Sequence, residues 1–315
     1  MKAIKYLFVG LLLTGALTSC YDLLTEEPKD FLTPENSYTD KKGFESALSD
    51  IYRNIRNNFY AENDAVNNYD LLSGLDVDLY MKHWNLGGPY FEYYFWNQFN
   101  ADHDMPKTWW SRFYSYIFSC NVIVERAEAN VVRWSSDAEK NAIVGEAKFL
   151  RAFAYRFLAN MWGTAPLVLE ETKDPRFNYT NSTQEQLYKQ CKEDLEFAIQ
   201  WMPDIDDQKG GRASKVAAQH LLSEILIGLK DYDGAIKQAS DVINNPAMHL
   251  MTERFGKLKD FTFEGYDYQG EKEPWGDVWW DLFREGNFNR IEGNAECIWN
   301  VQFDVDLEGG GNVGQ

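Results

Sequence analysis

Residues 145–171 read GEAKFLRAFAYRFLANMWGTAPLVLEE, and this stretch decides the fold class of the chain. Its apolar residues recur at steps of three and four, which places one apolar stripe along a helix. Ser136 and Glu139 have the spacing of a capping box at the start of that helix. Gly163 can adopt the left-handed conformation that ends a helix, and Pro166 prevents its continuation. The pattern predicts a helix with defined ends.

Helical periodicity extends to segments on both sides of this stretch. Four of them have apolar residues at helical spacing, at positions 44–55, 110–124, 187–202 and 216–246. Asp40 stands near the start of the first, and Ser182 with Glu185 predicts a capping box for the third. The fourth segment predicts two helices joined at 230–233, because Ala235, Ala239 and Pro246 have nearly tetratricopeptide spacing. We therefore expect helical hairpins.

Two segments lack the helical periodicity and are rich in aromatic residues. Positions 80–114 carry 13 aromatic residues mixed with glycine, proline and asparagine. Positions 255–288 are a second loop-rich region, followed by an alternating pattern at 297–303 that predicts a strand. The expected fold class is mainly α: a tetratricopeptide-like helical hairpin scaffold with long loop insertions and a few short strands.

Charge and cysteine content exclude several classes of function. The chain has 315 residues, of which 31 are basic and 49 acidic, so its formal net charge is −18. This charge repels nucleic-acid phosphates, and we expect no nucleic-acid partner. Cys120, Cys191 and Cys297 are widely spaced, which predicts no disulfide framework and no zinc site. Cys120 and Cys191 fall on helical stripes and are expected to be small buried residues.

The N-terminus carries an export pattern. Lys2 and Lys5 precede an apolar run at 7–17 that is shorter than the ~20 residues a membrane span needs. Small residues then precede Cys20, as in the lipobox that a bacterial lipoprotein peptidase cleaves. We predict a signal peptide over 1–19, a tether with lipidated Cys20 over 20–38, and a folded domain over 39–315. The alternative is an ordinary secretory signal with a chance cysteine.

The motif E-A-K-F-L-R-A-F, followed by W-G-x-x-P-L, resembles the SusD/RagB family of nutrient-binding outer-membrane lipoproteins. Further blocks lie in the order that the family uses, at 24–28 with 44–52, at 110–121, at 217–243 and at 296–303. Members of the family usually continue well past this last block. The resemblance therefore implies that the domain over 39–315 is incomplete at its C-terminus.

The resemblance also implies a function and a location. It implies a lipid-anchored protein at the cell outer membrane, facing the exterior, that captures an oligosaccharide or similar nutrient. Its expected partner is a SusC-like TonB-dependent outer-membrane transporter, which it would cover as a lid. No catalysis, cofactor or metal is implied.

Sugar-binding sites use flat aromatic faces together with amides, carboxylates and arginine. Loops such as the two aromatic-rich segments supply these groups in the family. The candidate ligand-binding residues are Trp84, Trp96, Asn97, Trp275, Trp279, Trp280 and Arg284. The alternative for each aromatic residue is a packing role in the core. Trp109 and Trp110, which lie on a helix, are expected to belong to the core.

Two other functions are consistent with parts of the sequence. The tryptophans and surplus carboxylates are compatible with an anchored glycan-degrading enzyme, although acidic doublets such as Glu170-Glu171 do not fix the spatial separation that glycosidases need. The hairpin at 217–246 is compatible with a repeat scaffold that binds only proteins. The segment 204–207 lacks the glycine and the closing glutamate of a calcium loop. We find no catalytic motif and expect no catalytic residue.

Overall fold

The protein was analysed as a computed structural model, which describes residues 37–60, 104–208, 210–266, 272–284 and 286–301. Cys20, the predicted signal peptide and most of the predicted tether lie outside the described residues. The helices are α1 Lys41–Tyr60, α2 Asp104–Arg126, α3 Asp137–Trp162, α4 Gln184–Trp201, α5 Lys215–Gly228, α6 Tyr232–Ile243 and the short α7 Val278–Leu282. The strands are β1 Ala165–Pro166, β2 Asn181–Ser182, β3 Phe263–Tyr266 and β4 Lys272–Trp275, paired antiparallel as β1 with β2 and β3 with β4.

Helices that follow one another in the chain pack on one another. From α2 to α6 each helix contacts the next, and α1 lies against α2 and α3. One apolar core runs through this array and is built from the stripes that the periodicity predicts. Trp109 is fully buried in this core and Trp110 is packed against it, as expected. The predicted helical-hairpin scaffold with few strands is confirmed.

Local sequence determines where the central helix α3 begins and ends. The Ser136 side chain accepts a hydrogen bond from the Glu139 amide at 3.1 Å. The Glu139 carboxylate accepts from Ser135 at 2.9 Å, so only half of the predicted capping box forms. Gly163 has a φ of 72°, where a side chain would be strained, and its amide donates to Ala159 O at 3.1 Å. The predicted helix end is confirmed.

The start of α4 differs from the prediction by one residue. Thr183, rather than Ser182, is the cap, and its side chain accepts from the Gln186 amide while the Gln186 side chain accepts from the Thr183 amide. Ser182 instead pairs with Ala165 in the short sheet. Both positions offer a hydroxyl followed three residues later by Glu or Gln, so local sequence alone does not distinguish them.

A buried ionic network joins α2, α3 and α4. Arg151 donates to the Asp194 carboxylate from Nε at 2.8 Å and from Nη2 at 2.7 Å, and from Nη1 to Asn121 Oδ1 at 2.8 Å. All three side chains are buried. The Asn121 amide then donates to Val168 O at 3.0 Å and to Glu170 O at 3.2 Å. The network therefore fixes the extended segment after α3 onto the helices.

A second tie joins α1 to the loop before α5. The Tyr52 hydroxyl donates to Glu146 Oε1 at 2.6 Å and accepts from the Ala213 amide at 3.1 Å. Arg212 forms a two-point ion pair with the same Glu146 carboxylate. Burial raises the pKa of Tyr52 well above its usual range, so this phenol stays protonated and able to donate.

One prediction about the last third of the chain is corrected. The loop-rich segment 255–288 contains only the short strands β3 and β4 and the short helix α7 among its described residues. The strand expected at 297–303 is absent over its described part, 297–301. Instead, the neighbouring residues Ile298 and Trp299 both pack against the helical core, and the indole Nε1 of Trp299 donates to Gly211 O at 3.1 Å. Residues 302 and 303 lie outside the described residues.

The cysteines behave as the stripe positions predict. Cys120 and Cys191 are fully buried, and burial raises the pKa of the Cys120 thiol to about 12. Cys297 is half-buried. Within the described ranges, no helix is long and apolar enough to cross a membrane.

Candidate functional site

The structure describes four of the seven candidate ligand-binding residues. Trp84, Trp96 and Asn97 lie outside the described residues. Trp275 ends β4, where its backbone pairs with Phe263. Trp279 and Trp280 lie on α7, and Arg284 follows two residues after the helix ends. Two predicted side chains thus lie on one short helix, and a third lies just after it.

Helix α7 exposes an aromatic pair. Asp277 caps it by accepting a hydrogen bond from the Trp280 amide at 2.7 Å. Trp279 and Phe283 stand four residues apart, so they share one face of this turn. Their ring centroids are 4.9 Å apart in an edge-to-face arrangement, and 68% of Trp279 and 64% of Phe283 is exposed. Exposed aromatic faces held at a fixed angle are suited to stacking against a ring.

Trp280 points to a different side, because consecutive helical residues are about 100° apart. It is half-buried, and the Arg284 guanidinium carbon lies 3.7 Å from its ring centroid. The Arg254 guanidinium lies 5.4 Å from the same ring. Trp280 is therefore enclosed by two cations, whereas Trp279 faces solvent. Of the two predicted α7 tryptophans, Trp279 has the geometry of a binding platform.

A buried carboxylate holds α7 in place. Asp281 is fully buried and accepts hydrogen bonds from Arg254 Nε at 2.5 Å, Arg254 Nη2 at 3.0 Å and the Phe255 amide at 3.1 Å. Arg254 also donates to Gly276 O at 2.6 Å, directly before α7. The hydrogen bonds to Asp281 raise the pKa of the guanidinium. Asn287 Nδ2 donates to Asp281 O at 2.9 Å and fixes the chain after the helix.

Trp279 and Phe283 form one wall of a cavity of about 680 Å³. This volume falls in the range of small-ligand sites. The floor contains Ile55 of α1 and Phe153 of α3, so the cavity reaches the helical scaffold. The remaining lining residues are Leu282, Phe288, Asn294, Glu296, Cys297, Ile298, Trp299, Asn300 and Val301. The lining combines aromatic rings with two amides and one carboxylate, the groups that sugar recognition uses.

Trp299 fixes the wall opposite α7. Its ring meets Phe149 and Phe153 edge-on, with centroids 5.6 Å from each. Neighbouring polar side chains are held as well: Asn300 Nδ2 donates to Phe288 O at 3.2 Å, and Glu296 Oε2 accepts from the Met251 amide at 2.9 Å. Both walls of the cavity are therefore anchored by hydrogen bonds or by core packing.

Sequence reasoning missed most of the residues that build this cavity. Arg254, Asp281 and the 294–301 segment were not among the candidates, and Trp299 was expected in a strand. Asp277 in front of an apolar triplet was a readable helix cap. The pairing of Arg254 with Asp281 spans 27 residues and has no local pattern.

The acidic groups considered as metal or acid-base candidates do not gather in the part of the chain that the structure describes. They contain no cluster of three or more His, Cys, Asp or Glu side chains able to hold an ion. The segment 204–207 carries a single 3₁₀ turn, Ile205–Asp207. Glu171 is engaged in an ion pair with Arg126 at 2.7 Å. Two further clusters of the sequence that could be imagined as acid-base or metal groups, at 76–78 and 102–104, lie outside the described residues except for Asp104.

Comparison with known proteins gives a consistent result. Residues 30–227 match the profile of the SusD-like family, described as starch-binding and associating with the outer membrane. A SusD-like protein of Formosa agariphila is 24% identical over 97% of this chain and 53% of its own length. A crystal structure of a SusD-like protein from Bacteroides fragilis has a TM-score of 0.59 at 18% identity, over 88% of this chain and 47% of that one.

A solved structure described as a laminarin-binding SusD-like protein has a TM-score of 0.57 and is 26% identical, covering 69% of this chain and 48% of that one. The chain spans about half the length of the relatives it matches.

Proposed function

The chain belongs to the SusD-like family, and on that premise we propose that it is a surface-exposed lipoprotein that binds an oligosaccharide nutrient and delivers it to a SusC-like TonB-dependent transporter. The observation that carries the binding step is the exposed pair Trp279 and Phe283 at the mouth of the 680 Å³ cavity. An oligosaccharide presents apolar C–H faces that stack on such rings, while its hydroxyls meet the polar groups of Glu296 and Asn300.

Preorganisation supports binding at this position. An exposed aromatic side chain that must be ordered on binding costs about 0.5–1.5 kcal/mol. Here the Asp277 cap and the Arg254–Asp281 pair hold the α7 backbone before any ligand arrives. The cavity wall at Trp299 is fixed by its bond to Gly211 O. The α7 backbone and the Trp299 wall are therefore ordered before a ligand binds, and little free energy of binding is lost in ordering them.

Isothermal titration of the purified protein against an oligosaccharide panel tests this proposal. Laminarin oligosaccharides are the first arm, because one solved neighbour is described as binding laminarin, and maltooligosaccharides are the second, because the family profile is described as starch-binding. Trp279→Ala is expected to weaken binding at least about tenfold, since tryptophan is a frequent hot spot. Phe177→Ala is the matched control, because Phe177 is 95% exposed and lines none of the described cavities.

Three outcomes would overturn parts of the proposal. Equal oligosaccharide affinity of wild type and Trp279→Ala would contradict the assignment of the site to α7. The membership of the SusD-like family would not be affected. Release of new reducing ends from any panel member by the purified protein would contradict binding without catalysis and favour a glycan-degrading enzyme. Binding to proteins alone, with no oligosaccharide bound, would favour the repeat-scaffold alternative.

Anchoring and delivery are separate parts of the proposal. Metabolic labelling with a fatty acid should mark the wild type and not Cys20→Ser. Wild type should resist washing from outer membranes, because several acyl chains on one residue give stable anchoring. Co-purification from detergent-solubilised membranes with a TonB-dependent barrel is the expected partner result, and consistent recovery without any barrel would contradict delivery.

A further inference from the structure

A second concave surface lies between α2 and the segment that follows α3. We call it the α2 slot. It has a volume of about 300 Å³ and shares no lining residue with the cavity beside α7. Its principal residues are Trp110, Tyr114 and Phe118 on α2, facing Pro166, Val168 and Tyr179.

The first wall of the α2 slot is a regular aromatic stripe. Trp110, Tyr114 and Phe118 are spaced four residues apart, so they line one face of α2. Trp110 and Tyr114 are in contact, with ring centroids 5.1 Å apart, and Trp110 packs edge-on against Trp162 at 5.4 Å. The inner end of the stripe is therefore fixed by the core. Its outer end is open, because 45% of Phe118 is exposed.

The opposite wall is tied to α2 by hydrogen bonds. The Tyr114 hydroxyl donates to Pro166 O at 2.7 Å, and burial raises the pKa of this phenol, so it keeps its proton. Asn121 Nδ2 donates to Val168 O at 3.0 Å. The Tyr155 hydroxyl accepts from the Val168 amide at 2.7 Å. These hydrogen bonds fix the position of the 166–168 wall relative to α2.

The lining indicates the chemistry of an occupant. None of the described lining residues is charged, although the chain as a whole carries −18. The Tyr114 and Asn121 polar groups are used to hold the walls, and Tyr179 and Thr172 supply the other hydroxyls of the lining. An ionic ligand would lose hydration among these uncharged residues. One cation described beside the slot is Arg176, whose guanidinium carbon lies 5.2 Å from the Tyr179 ring centroid. A neutral ring would gain stacking on up to three aromatic faces while its polar edge stays in water.

We propose that the α2 slot is a second binding site, which takes one neutral six-membered ring between the α2 aromatic stripe and Tyr179. The ring is a terminal pyranose or an aryl group, both of which are six-membered and present an apolar face that stacks on aromatic side chains. Few hydroxyl partners are available, so we expect millimolar affinity and little selectivity among sugars. The pyranose form rests on the proposed function, because it adds a second contact for the same oligosaccharide class. The aryl form does not.

Saturation-transfer NMR with two probes tests this proposal. Methyl β-D-glucopyranoside offers a sugar ring alone, and phenyl β-D-glucopyranoside offers both rings in one molecule. The measurements use Trp279→Ala as the parent protein, so that the exposed platform on α7 does not contribute. Saturation of the pyranose protons identifies the sugar as the occupant, and saturation confined to the phenyl protons identifies the aryl ring.

Matched variants decide where the probe binds. Tyr179→Ala and Phe118→Ala, both in the Trp279→Ala parent, remove partly exposed faces of the slot and are each expected to reduce the transfer at least fivefold. Phe177→Ala, two residues from Tyr179 and outside the slot lining, should leave it unchanged. Circular dichroism checks that each variant is folded.

Several results would overturn the proposal. They are the absence of transfer from either probe to the Trp279→Ala parent, transfer that survives both slot variants, and an equal loss in Phe177→Ala. The proposed function fails separately, when the oligosaccharide panel binds neither wild type nor variants while the phenyl probe still requires Tyr179.

Discussion

The helices α2 to α4 and the segment 276–301 use the same residue types for opposite purposes. In the helices, Trp109 is fully buried and Arg151 pairs with Asp194 inside the core. In the segment, Trp279 is largely exposed and the Arg254–Asp281 pair supports it from beneath. A buried ion pair thus stabilises a scaffold in one region and positions an exposed platform in the other. Residue type alone does not separate the two uses. The exposure of the tryptophan does, because Trp109 is fully buried and Trp279 is largely exposed.

The largest expected effect separates the two tryptophans. Trp109→Ala should lower the free energy of unfolding by about 3–5 kcal/mol, because it leaves a large cavity beside Phe59 and Phe113. Trp279→Ala should change it by less than about 0.5 kcal/mol, as for an ordinary surface position. Urea unfolding followed by circular dichroism measures both. A large loss of unfolding free energy in Trp279→Ala would show that α7 belongs to the core. It would contradict the contrast between the two regions.

The next effect concerns the buried pair of the scaffold. Among the described residues, Arg151→Met leaves the fully buried Asp194 with Lys148 as its one cation, at 3.0 Å, and should cost about 3 kcal/mol. The double variant Arg151→Met/Asp194→Leu should recover part of this loss, since no fully buried charge is left unpaired and the partly exposed Lys148 can turn to water. Lys189→Met, which breaks an exposed pair with Glu185, is the control and should cost less than about 0.5 kcal/mol. Additive losses in the double-mutant cycle would argue against coupling.

The smallest effect on the free energy of unfolding is expected at Asp281, which holds α7 and its exposed pair Trp279 and Phe283 in place. Asp281→Asn keeps the shape of the side chain but removes the charge that Arg254 contacts, so α7 should loosen locally. Amide exchange should accelerate over 277–284, and oligosaccharide affinity should fall several-fold, while exchange in α3 stays unchanged. Asp277→Asn, which retains a capping oxygen, serves as the control. Faster exchange throughout α3 would mean that the two regions unfold together.

The scaffold was largely predictable because its information is local. Repeating apolar residues, the Ser136 cap and the positive φ at Gly163 act within one or two helical turns, and each is readable from neighbouring residues. The N-cap of α4 was predicted at Ser182 and is Thr183, because both residues begin the same local capping pattern. Helix position therefore follows from sequence to within a few residues: α2 begins at Asp104, six residues before the pattern at 110–124 and inside the segment 80–114 that was expected to interrupt the helices.

The candidate site was predictable only in part. An aromatic-rich loop can be recognised from composition, which is how Trp279 was selected. Whether each ring faces solvent depends on pairings such as Arg254 with Asp281 and Trp299 with Gly211, which are 27 and 88 residues apart. Trp280, chosen on the same grounds as its neighbour, is enclosed by two guanidinium groups. Trp84, Trp96 and Asn97 stay predictions.

The tie between Tyr52 and Ala213 has a consequence for the order of folding. It joins residues 161 positions apart, whereas the contacts from α2 to α6 link each helix to the next along the chain. Loop-closure entropy disfavours forming the distant contact before the intervening helices have packed and shortened the effective loop. We expect the helices to condense first and α1 to dock last, so Tyr52→Phe should accelerate unfolding and leave the refolding rate almost unchanged.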